Sequence, residues 1–377
     1  MVNKSYIDAF IPVGKDDKQC TRCRVCLQKC PVMKMDKEES KAEIKRLING
    51  EETQRVLNEC TFCFSCNHYC PQGLRPYALI LERMAARNRE SGKGIPAVLE
   101  YMFTGKNETG YFFDTYKALS SEDKAILDKW EKVPGKSKDT LFIGCVGRMI
   151  PQTIEHSKTL AGFAKFGPRD ACCGEIPYRS GDYQTFTETV ERTQKKLEAL
   201  DTERMVCYCG SCANYFGNIW PNFHGVNLPF KVITLWEWLW EKYNTRELTI
   251  QRQFPGEVVI TDSCYSSELG DGFYEALRGL HEAAGMSIVE LENNRYDSLC
   301  CGFAAGIRNN HDQAQVDKEA KKKTDQILAT KVKDVSCYCP GCWSLVRRFA
   351  KENSLNVHYA INKILRAFGD DAPMPKK

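Results

Sequence analysis

Two segments of this chain repeat one unusual spacing of cysteines. "CTRCRVCLQKCP" places Cys20, Cys23, Cys26 and Cys30 before Pro31, and "CTFCFSCNHYCP" places Cys60, Cys63, Cys66 and Cys70 before Pro71. Each reads C-x2-C-x2-C-x3-C-P. No other feature restricts the fold as strongly. Three closely spaced thiolates must wrap one face of a common centre, and the turns between them present backbone N–H groups to it. A pair of zinc sites would normally use four ligands in two separated pairs, which leaves the fourth cysteine and the proline unexplained.

The doubled run is that of bacterial ferredoxins, in which the fourth cysteine reaches across to the other [4Fe-4S] cubane. Cluster one then takes Cys20, Cys23, Cys26 and Cys70, and cluster two takes Cys60, Cys63, Cys66 and Cys30. Between the runs, "KMDKEESKAEIKRLINGEETQRVLNE" reads as helix, as does "RPYALILERMAARNRESG" after Pro71. We therefore expect a small α-helical two-cluster domain over residues 1–95. A helical connector over 96–138 follows and closes at the turn "KVPGKSKD". The connector aromatics in "EYMFTGKNETGYFFDTY" read as contacts covering a neighbour rather than as a binding site.

Twenty of the 377 residues are cysteine. The start, "MVNKSYIDAFIPVGKDD", has no basic segment leading into an apolar core and is not a secretory signal. The expected setting is a reducing cytoplasm, where thiols bind metal rather than pair. No run approaches the roughly 18 apolar residues of a membrane span, so docking to the inner face of a membrane would go through a partner. A net charge of +4 is too weak to argue for nucleic acid. The basic stretch "KEAKKKTDQILATKVKD" interleaves acids and apolar residues and reads as a solvated amphipathic helix.

The remaining twelve cysteines form two sets in one order. Cys145, Cys172, Cys173, Cys207, Cys209 and Cys212 are matched by Cys264, Cys300, Cys301, Cys337, Cys339 and Cys342. Cys172 and Cys300 are 128 residues apart, and Cys209 and Cys339 are 130 apart. The flanks agree: "DTLFIGCVG" with "GEVVITDSCY", "RMVCYCGSC" with "DVSCYCPGC", and "FKVITLWEWLW" with "LNVHYAINKIL". This is an internal duplication, with repeats over 139–245 and 246–377. "TLFIG", "EVVIT", "RMVCY" and "DVSCY" read as strands, and "PQTIEHSKTLAGFAKFG" and "GFYEALRGLHEAAG" as crossover helices ending at glycine. The fold class is thus multidomain: the helical two-cluster domain, then a duplicated α/β domain with cysteines at the carboxyl ends of its strands. "ITLWEWLWEKY" reads as a buried helix face.

Five thiols converge in each repeat: one strand-end cysteine, an adjacent pair and a CxxC. A cubane takes four, so five predicts another kind of centre. Adjacent cysteines can serve two irons when the backbone turns sharply, and the glycine after each pair permits that turn. Buried structural cysteine is common singly but implausible for twelve in matched order.

C…CCG…CxxC, duplicated behind a two-cluster domain, resembles the cysteine-rich CCG domain of the heterodisulfide reductase family, in the arrangement of its fused catalytic subunit. The resemblance implies a noncubane [4Fe-4S] cluster on five cysteines in each repeat. One set is Cys145, Cys172, Cys173, Cys209 and Cys212; the other is Cys264, Cys300, Cys301, Cys339 and Cys342. Cys207 and Cys337 have no required role in that motif, and we favour packing. The chain departs from the family in three places. Only 26 residues separate Cys145 from Cys172, against 35 between Cys264 and Cys300; Tyr265 stands where many relatives have histidine; and "CCGFAAG" is poorer in glycine.

The resemblance further implies cleavage, or formation, of a disulfide between the paired noncubane clusters, fed by the two cubanes. No G-x-G-x-x-G follows a strand, so electrons come from a partner: a flavin-binding subunit, a b-type cytochrome or another iron–sulfur protein. The other partner is a small-molecule disulfide or thiol. The alternative is a non-catalytic electron-transfer subunit of a flavin-containing or quinone-linked oxidoreductase complex.

Overall fold

The computed structural model describes residues 5–92, 94–306 and 313–371. Its first part is helical: α1 (Val25–Gln28), α2 (Lys37–Asn49), α3 (Val56–Glu59), α4 (Ser65–His68) and α5 (Pro76–Ser91). Asp36 caps α2 by accepting from the N–H groups of Glu38 and Glu39, while Glu39 reaches back to the Asp36 N–H. The helix expected between the two cysteine runs is broken in two. Gly50, at φ 74, ends α2. The buried Glu43 carboxylate then accepts from the N–H groups of Gln54, Arg55 and Val56 at 2.9, 3.0 and 2.9 Å, which holds the loop and starts α3. The connector is helical as read: α6 (Ala97–Thr104), α7 (Gly110–Lys117) and α8 (Ser121–Trp130).

Each repeat then builds a four-stranded parallel sheet. The first contains β1 (Ser137–Phe142), β2 (Ala164–Phe166), β3 (Thr202–Cys207) and β4 (Lys231–Thr234), in the order β2-β1-β3-β4. The second contains β5 (Gly256–Thr261), β6 (Met286–Val289), β7 (Asp334–Cys337) and β8 (Asn356–Tyr359), in the order β6-β5-β7-β8. The order is the same, so the duplication extends to topology. In the first sheet Phe142 pairs with Cys207 and Cys207 with Thr234; in the second, Thr261 pairs with Cys337 and Cys337 with Tyr359. The strand order reverses between the two central strands of each sheet, the place where open parallel sheets bind ligands beyond their carboxyl ends.

Helices α9 (Tyr183–Leu197) and α10 (Leu235–Asn244) belong to the first repeat. Helices α11 (Asp271–Ala283), α12 (Gln313–Ala329) and α13 (Ala360–Ala367) belong to the second. The two sheets share a core in which Leu141, Val206, Val258 and Ile260 are buried. Trp236 of α10 stacks on His281 of α11 across it, with ring centroids 6.0 Å apart. The "GFYEALRGLHEAAG" stretch is α11, with Gly285 at φ 86 just beyond it. The first crossover differs from expectation. Its helix covers only Pro151–Glu155, and Ala164–Phe166 is strand β2. Ser157 is the physical reason: its hydroxyl accepts from the Leu160 N–H and donates to Asp370, drawing the chain out of the helix into a turn.

Candidate functional site

In both N-terminal runs the residues between cysteines are held in the left-handed region. Arg22 and Arg24 have φ 56 and 63, and Phe62 and Phe64 have φ 55 and 67. Bulky residues avoid this region, and four at matched places mark strain kept for a purpose. The turns carry N–H groups toward sulfur, as where the Phe62 N–H donates to Cys60 Sγ at 3.3 Å. Cys20, Cys23, Cys26 and Cys70 line one small void together. The Cys26 thiol is pushed up to about 12 by burial and then by Cys70, Cys20 and Cys23. Cys30 is pushed up to about 12 by burial, and beyond that by the neighbouring Cys63 and Cys60. Cys66 is raised by burial, then by Cys60 and Cys63. The fourth cysteine of each run thus sits with the other run's three.

In the repeats, Cys145 and Cys264 follow β1 and β5, and each CxxC follows β3 or β7. The adjacent pairs turn at Gly174 and Gly302, at φ 85 and 95. Each glycine donates its N–H back to the first sulfur of its pair, Gly174 to Cys172 at 3.5 Å and Gly302 to Cys300 at 3.2 Å. The thiols of Cys172 and Cys212 hydrogen-bond to Cys173 and hold it well below the usual thiol range; Cys264 and Cys301 do the same to Cys300. Cys145 lies beside Cys209 and Cys173, and burial pushes it up. Cys342 links Cys301 to Cys339. Among the described residues no three Cys, His, Asp or Glu side chains gather tightly enough to hold a single metal ion. The sulfurs ring voids instead.

Nine of these ten cysteines line one cavity of about 650 Å³ between the repeats. The tenth, Cys300, is buried behind it against Cys63 and Cys264. Arg179, only 2% exposed, crosses the seam. Its Nη1 lies 3.3 Å from Glu175 and 3.9 Å from Cys264 Sγ, and its guanidinium covers the Phe64 ring at 5.1 Å. Burial raises the Glu175 carboxyl, and Arg179 partly offsets this. Tyr265 packs so closely on the first CxxC that a Cβ at Gly210 would lie 3.1 Å from its hydroxyl. Cys207 and Cys337 are fully buried at strand ends, in the core rather than on the cavity wall.

The second cysteine run docks on the second repeat. Ser65 Oγ donates to the Tyr296 carbonyl at 2.9 Å, Asn67 Nδ2 donates to Glu268 at 3.1 Å, and His68 stacks on Tyr296 at 3.9 Å.

The 4Fe-4S dicluster domain matches residues 12–86, and the Cysteine-rich domain, CCG, matches twice, at 140–217 and 258–347. The chain thus carries a 4Fe-4S dicluster domain followed by a duplicated cysteine-rich CCG domain. It is similar to a fumarate reductase (CoM/CoB) subunit from Methanothermobacter marburgensis, 25% identical over 86% of this chain and 66% of that protein. It is also similar to a dihydromethanophenazine:CoB–CoM heterodisulfide reductase subunit from Methanosarcina barkeri, 22% identical over 78% of this chain and 72% of that protein. A third relative is the EtfAB:quinone oxidoreductase of Syntrophomonas wolfei, 21% identical over 79% of this chain. The chain spans only 44% of that third protein's length. The dicluster match makes this a 4Fe-4S protein, and oxidoreductases are among the proteins it is similar to. No described helix is long and apolar enough to cross a membrane.

Two groups of site residues escaped the sequence reading. Tyr111 and Phe112 of the connector line the cavity, although their stretch reads as cover for a neighbour. The glycine at the head of α7, Gly110 at φ 84, was the available signal for a turn that presents them. Arg179 was visible only as an i,i+4 partner of Glu175 on one helical turn after the CCG.

Proposed function

We propose that this chain is the iron–sulfur catalytic subunit of a heterodisulfide reductase-like complex, reducing or forming a disulfide in the cavity between its repeats. The observation that carries this is the one cavity lined by nine of the ten cysteines of the two sets. Cubane [4Fe-4S] clusters would be held by Cys20, Cys23, Cys26 and Cys70, and by Cys30, Cys60, Cys63 and Cys66. Noncubane [4Fe-4S] clusters would be held by Cys145, Cys172, Cys173, Cys209 and Cys212, and by Cys264, Cys300, Cys301, Cys339 and Cys342. The residues fit such groups: the donors are all sulfur, they ring voids, and left-handed turns aim N–H groups at Cys60, Cys172 and Cys300.

When bound, the clusters supply one-electron steps, and a disulfide needs two electrons and two protons to give two thiols. The chain supplies the geometry. Strand ends of both repeats face each other, so each sulfur of a substrate disulfide meets one cysteine set. Phe112, Phe303 and Tyr359 give the cavity an apolar wall that limits water. The docking of α4 on the second repeat brings Cys63 against Cys264 and Cys300, which shortens the path from the N-terminal domain. Electrons would come from a partner: a flavin-binding subunit, a b-type cytochrome or another iron–sulfur protein. The similarity to the EtfAB:quinone oxidoreductase favours a second reading, an electron-transfer subunit without its own substrate.

Electron paramagnetic resonance of the oxidised protein with a panel of thiols separates the two. A new half-reduced signal with one thiol class supports the disulfide reading. Silence with every thiol overturns it in favour of the relay.

A further inference from the structure

The two repeats are copies, so each reports what the other has changed. The glycine closing the first CC turn packs on Phe186, and the one closing the second packs on Val316. These partners are 130 residues apart, the same offset that relates Cys209 to Cys339. Carried along α9 and α12, that offset matches Thr193 with Lys323.

Both side chains are buried and both reach the base of the CC turn. Thr193 Oγ1 accepts from the Cys172 N–H at 3.1 Å and donates to the Cys172 carbonyl at 3.0 Å. Lys323, 1% exposed, donates to the Asp262 carbonyl, to the Leu299 carbonyl at 3.0 Å and to Ser298 Oγ at 3.2 Å. One copy therefore closes its turn with a neutral hydroxyl and the other with an ammonium whose three donors all meet neutral oxygens. Of the nearby carboxylates, Asp262 is engaged by Arg278 at 2.8 Å, while Glu319 gives one oxygen to Lys322 at 2.7 Å and keeps the other buried without a hydrogen-bond partner.

Glu319, near Cys300, offsets part of this difference; the remaining charges do not cancel it. Arg179 beside Cys264 is balanced by Glu175. Arg148, a cation beside Cys145, is half-exposed and bonded to the carbonyls of Pro168 and Met102. Water screens a half-exposed charge far more than a buried one.

We propose that Lys323 makes the two CCG sites unequal, placing the second at the higher reduction potential so that the first electron to arrive rests there. Reduction adds one negative charge to a site, and a buried cation stabilises the reduced form. The site that carries Lys323 is also the one in contact with Cys63, on the side of electron supply. The inference rests on the reading that both repeats hold clusters.

The test is a redox titration followed by electron paramagnetic resonance on the anaerobic full chain. Cys209→Ser and Cys339→Ser assign each signal to a repeat by removing it. We expect the second site to be reduced first, its reduced-to-oxidised ratio at least tenfold above that of the first at one potential, which is 59 mV for one electron. Lys323→Thr should shrink that ratio at least fivefold with iron content unchanged, and Lys323→Arg should retain it. Should Lys323→Thr lose iron, the wild type and Lys323→Arg still decide. Sites that titrate together in the wild type, or a first site that fills before the second, overturn the proposal. A chain holding about eight irons instead of about 16 would instead mean that the cluster reading itself has failed.

Discussion

Alanine at Gly302 is the smallest change aimed at the turn that places Cys300 and Cys301. The residue sits at φ 95, and a Cβ there would lie 2.8 Å from the Val316 backbone carbonyl. The left-handed backbone costs an alanine about 1–2 kcal/mol. Forcing an extra carbon into packed backbone adds about 1–3 kcal/mol, so the sum is about 2–5 kcal/mol. At roughly 2–4 °C per kcal/mol for a domain of this size, the thermal midpoint of Gly302→Ala should fall by at least about 4 °C. Gly272→Ala is the control. That glycine lies near the start of α11 with nothing within 4 Å of a Cβ, and alanine there should gain about 0.5–1 kcal/mol. Thermal unfolding of the anaerobic protein reads both. A Gly302→Ala midpoint within 1 °C of wild type, or an equal loss in Gly272→Ala, would refute the reasoning.

Three further outcomes follow from named residues. Burial lowers His224 to about 3 and His281 to about 4, so both stay neutral when folded but gain a proton near 6.5 when unfolded. Stability is then full above pH 6.5 and lost as pH falls toward those folded values, by about 1.4 kcal/mol per histidine between pH 7.5 and 5.5; His281→Gln should roughly halve that loss in denaturant melts. Cys339→Ser should remove about four irons per chain while the signals of the N-terminal domain persist, as measured by iron assay and spectroscopy. Phe112→Ala should keep its iron and raise KM for a disulfide substrate about tenfold, about 1.4 kcal/mol of lost contact at the cavity wall; an unchanged KM would take Phe112 out of the site.

Much of this was legible because cysteine spacing is a local code. The eight N-terminal cysteines meet in two crossed groups of four, and the twelve others divide between two repeats whose sheets share one topology. The strands "TLFIG" and "EVVIT" and the helices α5 and α11 follow from apolar period and glycine stops. What the sequence hid was tertiary. Ser157 bonds to Asp370, more than 200 positions away, and so turns an apparent crossover helix into a loop. The run "KEAKKKTDQILATKVKD" reads as a solvated face, yet Lys323 is buried beneath the second CC turn; a lysine among five other lysines carries no mark of which one points inward. In "CCGFAAGIRNN", residues 307–310 lie outside the described residues.

Anomalous diffraction at the iron edge is the most direct test of the central claim that each repeat holds an enlarged, open cluster on five cysteines. The account predicts four iron centres, two of them in the shared cavity, one touching Cys145, Cys172, Cys173, Cys209 and Cys212 and the other Cys264, Cys300, Cys301, Cys339 and Cys342. Iron confined to the N-terminal domain, or four-cysteine cubes or single ions in the cavity, would contradict it.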